Sequence, residues 1–214
     1  MNAPPTRRGA LFAGMALAAG SLLALPRAAT AQAPTPASPP RRLRGTLTEV
    51  SPGQIVLRLR TGESVDLALS PQLTVTEIYP ISFADIQPGN FVGVGATRER
   101  DGSQRAIAVM VFPEAMRGTG EGHRPFDFLP QSTMTNATVA GFSAAADGRQ
   151  LRLTYKDGEQ SIIVPQEAPV VSLRPGTRDL LVTGATVSLT AQPVDGKPTA
   201  LRISAGRNGF APPY

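Results

Sequence analysis

The sequence predicts an all-β protein in which two tandem small OB-like β-barrels are joined by a structured link segment. Two observations carry this reading. The first is an internal repeat. Ile55-Val-Leu57-Arg-Leu59-Arg-Thr-Gly62-Glu63 matches Leu151-Arg-Leu153-Thr-Tyr155-Lys-Asp-Gly158-Glu159 at a constant offset of 96. Gly89-Asn-Phe-Val92-Gly-Val94-Gly-Ala96 matches Gly184-Ala-Thr-Val187-Ser-Leu189-Thr-Ala191 at 95, and Asp101-Gly102 with Ala106 and Val109 matches Asp195-Gly196 with Ala200 and Ile203 at 94. Single-residue drifts at loops are what duplicated units accumulate. The second observation is alternation. Leu57 and Leu59 alternate with Arg58 and Arg60, and Val65, Leu67 and Leu69 with Asp66 and Ala68, the period of two that half-buried strands require.

In chain order, residues 1–31 read as a signal peptide. Arg7-Arg8 precedes a weakly apolar run from Gly9 to Leu25, and Ala29-Thr30-Ala31 supplies the small residues for cleavage between Ala31 and Gln32. Thr6-Arg7-Arg8 followed by Leu11-Phe12 partly matches a twin-arginine signal, with a general secretory signal as the alternative. Residues 32–40 are rich in Pro, Ala and Ser and read as a disordered tether.

Residues 41–112 form the first barrel repeat. Leu59 and Val65 share one face only across an odd loop, so Thr61-Gly62-Glu63 is expected to be a three-residue turn with Gly62 at positive φ. Ile81 to Gly89 reads as one helical turn stopped by Pro88, and Asp101-Gly102 as a closing hairpin. Residues 113–136 are the link segment. Residues 137–206 form the second repeat, where Ile162, Ile163 and Val164 leave the inward face open and Asp195-Gly196 closes the last hairpin. Residues 207–214 are a tail. Copies of about 70 residues, with a short helical turn before the last hairpin, fit a five- or six-stranded OB-like barrel, whose closure removes exposed strand edges.

Composition narrows the function classes. The chain has no cysteine, so thiol chemistry and disulfides are excluded and the cores must hold the fold. The formal charge of +5 falls to +2 once Arg7, Arg8 and Arg27 leave with the signal, and there is no Trp, which argues against a nucleic-acid partner. Beyond the signal no stretch has the ~20 apolar residues of a membrane helix. The mature chain is therefore expected to be soluble and periplasmic.

The pattern GTLTEVSPGQIVLRLRTGESVDLAL, then FADIQPGNFVGVGA, then DGSQRAIAVMV resembles the exported OB-like repeat domains of bacterial envelopes. The stretch RGTGEGHRPFDFLPQSTMTNATV resembles a segment of uncharacterised proteobacterial proteins that carry the label metal ABC transporter permease. The resemblance covers Leu43 to Ala205 and implies fold and export, but no activity. A permease role conflicts with the lack of membrane helices after the signal.

The link segment belongs to neither repeat and concentrates the unusual residues: the single histidine His123, the acids Glu114, Glu121 and Asp127, and Met116 and Met134. One reading makes it an interdomain strap packed through Phe126, Phe128 and Leu129. A second makes Arg117, Glu121, His123, Arg124 and Asp127 an interaction surface for an envelope protein or small ligand. A third is metal binding through His123 with Met and carboxylate ligands, although one histidine without ligand spacing does not define a site and no cofactor is assigned. Gly118 to Gly122 lacks the Lys-Ser/Thr of a phosphate loop. Ser132, His123 and Asp127 lack a nucleophile elbow, leaving a hydrolase as a further alternative and no catalytic residue assigned. The expectation is a non-enzymatic periplasmic binding or scaffold module.

Overall fold

The computed structural model describes residues 39–146 and 148–214; the expected signal peptide, its expected Ala31/Gln32 cleavage site and most of the expected tether lie outside the described residues. The described chain is all-β. Its strands are β1 (Arg41–Ser51), β2 (Gln54–Leu59), β3 (Ser64–Pro80), β4 (Phe91–Arg98), β5 (Gln104–Val111), β6 (Gly122–Pro125), β7 (Ser132–Ala145), β8 (Gly148–Tyr155), β9 (Gly158–Pro165), β10 (Val170–Pro175), β11 (Thr186–Val194) and β12 (Lys197–Gly206).

Turn chemistry explains the joints. Leu59 N donates to Glu63 O and Gly62 N to Leu59 O, so the first loop is Arg60-Thr61-Gly62, three residues as expected but one position earlier than Thr61–Glu63. Gly62 has φ +91°, which a side chain would resist. Between β11 and β12, Asp195 and Gly196 both take positive φ, as a two-residue hairpin turn requires. The expected helical turn is a 3-10 turn at Phe83–Asp85, capped reciprocally: Ser82 Oγ accepts from Ala84 N, and Asp85 Oδ2 accepts from Ser82 N at 2.8 Å. Its counterpart is Arg178–Leu180, 95 residues on.

Five strands close a barrel. β1 pairs antiparallel with β2, β2 with β3 and β11 with both β12 and β1, while β3 and β12 run parallel. Leu47, Ile55, Leu57, Leu67, Leu189 and Ile203 fill it, and Leu180 and Leu181 pack into the same core. Five further pairings also return to their start, β7 to β8, β8 to β9, β9 parallel to β5, β5 to β4 and β4 to β7. This second ring encloses Val92, Val94, Leu151, Leu153 and Ile162, with Ile86 in its core. Ile162 and Val164 point inward and Ile163 is half-exposed, which fixes the face that the sequence left open. Burying such a side chain contributes about 1.5 to 3 kcal/mol.

The rings do not coincide with the consecutive blocks 41–112 and 137–206. β1, β2 and β3 are closed by β11 and β12, and β7, β8 and β9 by β4 and β5, so each ring takes its closing hairpin from the other half of the chain. The cause lies in β3. Its 17 residues run out of the first ring, and Ile81 N donates to Val170 O beside the second, so everything that follows is delivered there. Local patterns could not show this, because an exchanged hairpin makes the same contacts as an unexchanged one.

The crossing point is the pairing of β3 with β10. Ile78 lies opposite Leu173, its own counterpart at an offset of 95, so a local two-fold axis passes through the pair. Ile78, Val171 and Leu173 form a third small core here, with Met110, Phe112, Met116 and Phe210 against it. Glu77, buried on β3, breaks the symmetry. It accepts from Arg174 at 2.8 Å and from Arg207 at 3.3 Å, and Arg207 also bonds Asp179 at 3.0 Å. The hydrogen bonds from Arg174 and then Arg207 lower the Glu77 carboxyl to about 2 from an ordinary 4.5.

Two outcomes follow from this architecture. A protease site placed at Gly118–Gly120 should, after cleavage, leave two fragments that co-elute in gel filtration and unfold in one transition, because neither holds a complete ring; separation without denaturant would refute the exchange. A carboxylate whose folded pKa is depressed adds stability that is complete above its unfolded value and is lost as pH falls through the folded one. The difference in urea midpoint between the natural protein and Glu77→Gln should therefore be constant at neutral pH and shrink as pH falls from 4.5 to about 2. A difference that persists at the low end would show that the carboxylate's charge is not what the two arginines hold.

Candidate functional site

The link segment is built into the sheet. After a 3-10 turn at Glu114–Met116 the chain passes Gly118 and Gly120, both at positive φ, and enters β6, which pairs antiparallel with β7 so that His123 lies opposite Thr135. A side chain at Gly120 would meet Arg124 and Asn136 at 3.3 Å, so the turn is tight as well as left-handed.

The five residues expected to form an interaction surface go to separate internal partners. Arg117 pairs with Glu114 and donates to Gly89 O at 2.8 Å and Thr138 Oγ1 at 3.3 Å, pinning the segment to the start of β4. Glu121 accepts from Lys156 N at 3.1 Å in the β8–β9 turn. His123 Nδ1 lies 2.8 Å from the hydroxyl of the fully buried Thr135, and burial lowers the imidazole pKa below its usual range. Arg124 donates to Gly120 O at 2.6 Å. Asp127 accepts from Arg44 of β1 at 2.9 Å, a bond that lowers its carboxyl below the ordinary range.

Phe126 and Phe128 stack at 6.0 Å between centroids, and the Tyr214 ring stands edge-on to both at 5.4 and 6.0 Å. The Arg44 guanidinium lies 5.5 and 5.6 Å from the two phenylalanine centroids, and Arg60 lies 4.7 Å from Phe128. Tyr214 donates to Gly93 O at 3.2 Å, and a side chain at Gly95 would meet its ring at 3.1 Å, so β4 needs glycine where the tail lies. Burial pushes the Tyr214 phenol up. This cluster ties β1 of the first ring to β4 of the second through link and tail. Leu129, expected in the packing, instead stands at the turn before β7 with 43% of its surface exposed.

The other sequence candidates disperse. Among the described residues no three His, Cys, Asp or Glu side chains gather as metal ligands. Met116 packs against the core at the β3–β10 crossing, and Met134 is buried on β7. Ser132 Oγ donates within its own turn, to Phe126 O and Leu129 O, while His123 and Asp127 bond elsewhere.

A concave site lies at the end of the second ring. A cleft of about 400 Å³ opens between Ile81 and Phe83 on one side and Arg149, Val164, Gln166 and Ala168 on others, bracketed by Pro80, Pro165 and Pro169. The Arg149 guanidinium lies 4.5 Å from the Phe83 centroid, and the half-exposed Phe142 ring meets Phe83 edge-on at 6.0 Å.

The first ring shows why the cleft exists. The residue equivalent to Phe83 is Arg178, and it donates to Pro52 O at 3.0 Å and to Ser70 O at 3.3 Å, drawing the β1–β2 turn and the middle of β3 together. Phenylalanine has no donor to make that bridge. The Phe83/Arg178 mismatch stands in the aligned repeats, but only the partner carbonyls give it meaning.

The aromatic cluster carries a stability prediction. Phe126→Ala should lower unfolding free energy by about 2 to 3 kcal/mol, the ring being only partly buried. His123→Ala should cost about 1 kcal/mol, the scale of one hydrogen bond. Urea denaturation of the two variants checks the order; a larger loss at His123 would move the anchor of the segment from the rings to the histidine.

Compared with models of protein families, with curated proteins and with solved structures, the chain matches none of them.

Proposed function

We propose that the protein is a non-enzymatic periplasmic binding module, built from two OB-like units that exchange their closing hairpins, and that the cleft beside Phe83 is where it takes a small ligand. One observation carries the reading: two ring ends of equivalent construction differ in that Arg178 seals one, while Phe83 leaves about 400 Å³ at the other. That volume falls in the range of small-molecule sites. The link segment supports the same reading in a different way. Its charged side chains are taken up by internal partners, so it serves as the brace that holds both rings. Export rests on the signal-like N-terminus.

The neutral fluorophore N-phenyl-1-naphthylamine tests the site. Its fluorescence should rise saturably with one site per chain, and Ala168→Trp, which fills the cleft, should abolish the rise while the thermal unfolding curve stays cooperative. Phe83→Arg, which copies the sealed ring, should do the same. Absence of saturable binding, or binding indifferent to both substitutions, would remove the cleft as the site.

A further inference from the structure

We infer that the cleft selects an amphipathic anion, a flat apolar or aromatic body carrying one carboxylate, sulfonate or phosphate head. This rests on the reading of the cleft as the binding site and adds the chemistry of its ligand.

The argument starts from the charges at the site. Among the described residues, Arg149 is the one charged side chain that lines the cleft, and no acid lines it. Of the other three arginines over aromatic rings among the described residues, Arg60 over Phe128 lies outside the cleft, and the remaining two are paired with acids. Arg44 is bonded to Asp127, and Arg174 to Glu77. The Arg149 side chain has the Phe83 ring as its partner and makes no hydrogen bond or ion pair among the described residues. A guanidinium stacked on a ring has one face covered, while its five N–H donors point outward in the guanidinium plane, free for a planar or tetrahedral oxyanion. The same stacking fixes the side chain, so little freedom remains to be lost on binding.

The apolar part of the ligand follows from the walls. Phe83, Ile81, Ala168, Pro80 and Pro169 present hydrocarbon beside the polar groups of Arg149 and Gln166, and the half-exposed Phe142 extends the aromatic surface next to Phe83. An inorganic anion would leave those walls wet. A neutral hydrocarbon would leave the guanidinium without an acceptor. A ligand with both parts satisfies both, and a cationic head would be repelled by Arg149.

The repeat again supplies a comparison. At the offset that relates β2 to β8, Arg149 corresponds to Gly53, which has no side chain, at the end whose space Arg178 fills. The chain thus places its cation in the wall where the cleft is open and in the plug where it is closed.

A matched pair of probes separates the head from the body. N-phenyl-1-naphthylamine and its 8-sulfonate share one skeleton and differ by one charge. The sulfonate should bind the mature protein about tenfold more tightly, a difference of about 1.4 kcal/mol, and the advantage should fall steeply with added salt. Arg149→Met should remove the advantage, so that the variant binds the two probes with affinities equal within about twofold. Equal binding of the two probes to the natural protein, or an advantage that survives Arg149→Met, would overturn the anionic head while leaving the cleft intact. Binding of neither probe would instead overturn the cleft reading. Sulfonate binding that survives Ala168→Trp would place the anion elsewhere and overturn the inference.

Discussion

The pairing of β3 with β10 is the constraint on which the rest of the molecule depends. Both strands leave one ring and serve the other, and where they pass each other Ile78 faces Leu173 across a local two-fold axis. Once β3 is long enough to cross, the turn and hairpin after it are placed on the second ring, and by the same geometry β11 and β12 are returned to the first. Glu77 sits at that crossing with two guanidiniums on its carboxylate. Removing one partner of a buried charged group leaves the other uncompensated, so Glu77 ties the crossing to Arg174 and Arg207 together.

Much of the local structure was legible in the sequence, for physical reasons. Leu57 and Leu59 alternate with arginines because one side of β2 faces a core, and Gly62 and Gly196 mark backbone that other residues resist. Buried positions repeat between copies, Ile55 with Leu151, Val92 with Val187 and Val109 with Ile203, as the offset requires. The exchange of hairpins was not legible. A strand's alternation says which of its faces is buried but not which edge it meets, and two similar copies offer equivalent edges.

The site was legible only in part. The link segment attracted attention because it holds the single histidine and most of the unusual residues, and the aromatic packing of Phe126 and Phe128 is present. Its charges, however, are satisfied at distances in sequence that no motif records, as with Asp127 and Arg44 or Glu121 and Lys156. The cleft had a sequence signal of another kind, a break in the repeat at Phe83 and Arg178. A difference between duplicated positions marks where two similar structures have been put to different use. Recognising it required the carbonyls of Pro52 and Ser70, which Arg178 holds and Phe83 leaves apart.

The exchanged hairpins also set an order of events during synthesis. As the chain emerges from its N-terminus, β1 to β3 appear first, yet their ring stays open until β12, Lys197–Gly206, has been made. The ring that begins later is finished earlier, because all five of its strands have been translated by Pro165. At elongation rates of about 5 to 20 residues per second, the first three strands wait for several seconds with unpaired edges and an uncovered apolar face. Long-range pairings of this kind close slowly even in a complete chain. The earliest-made part of the molecule is thus the last to be sealed.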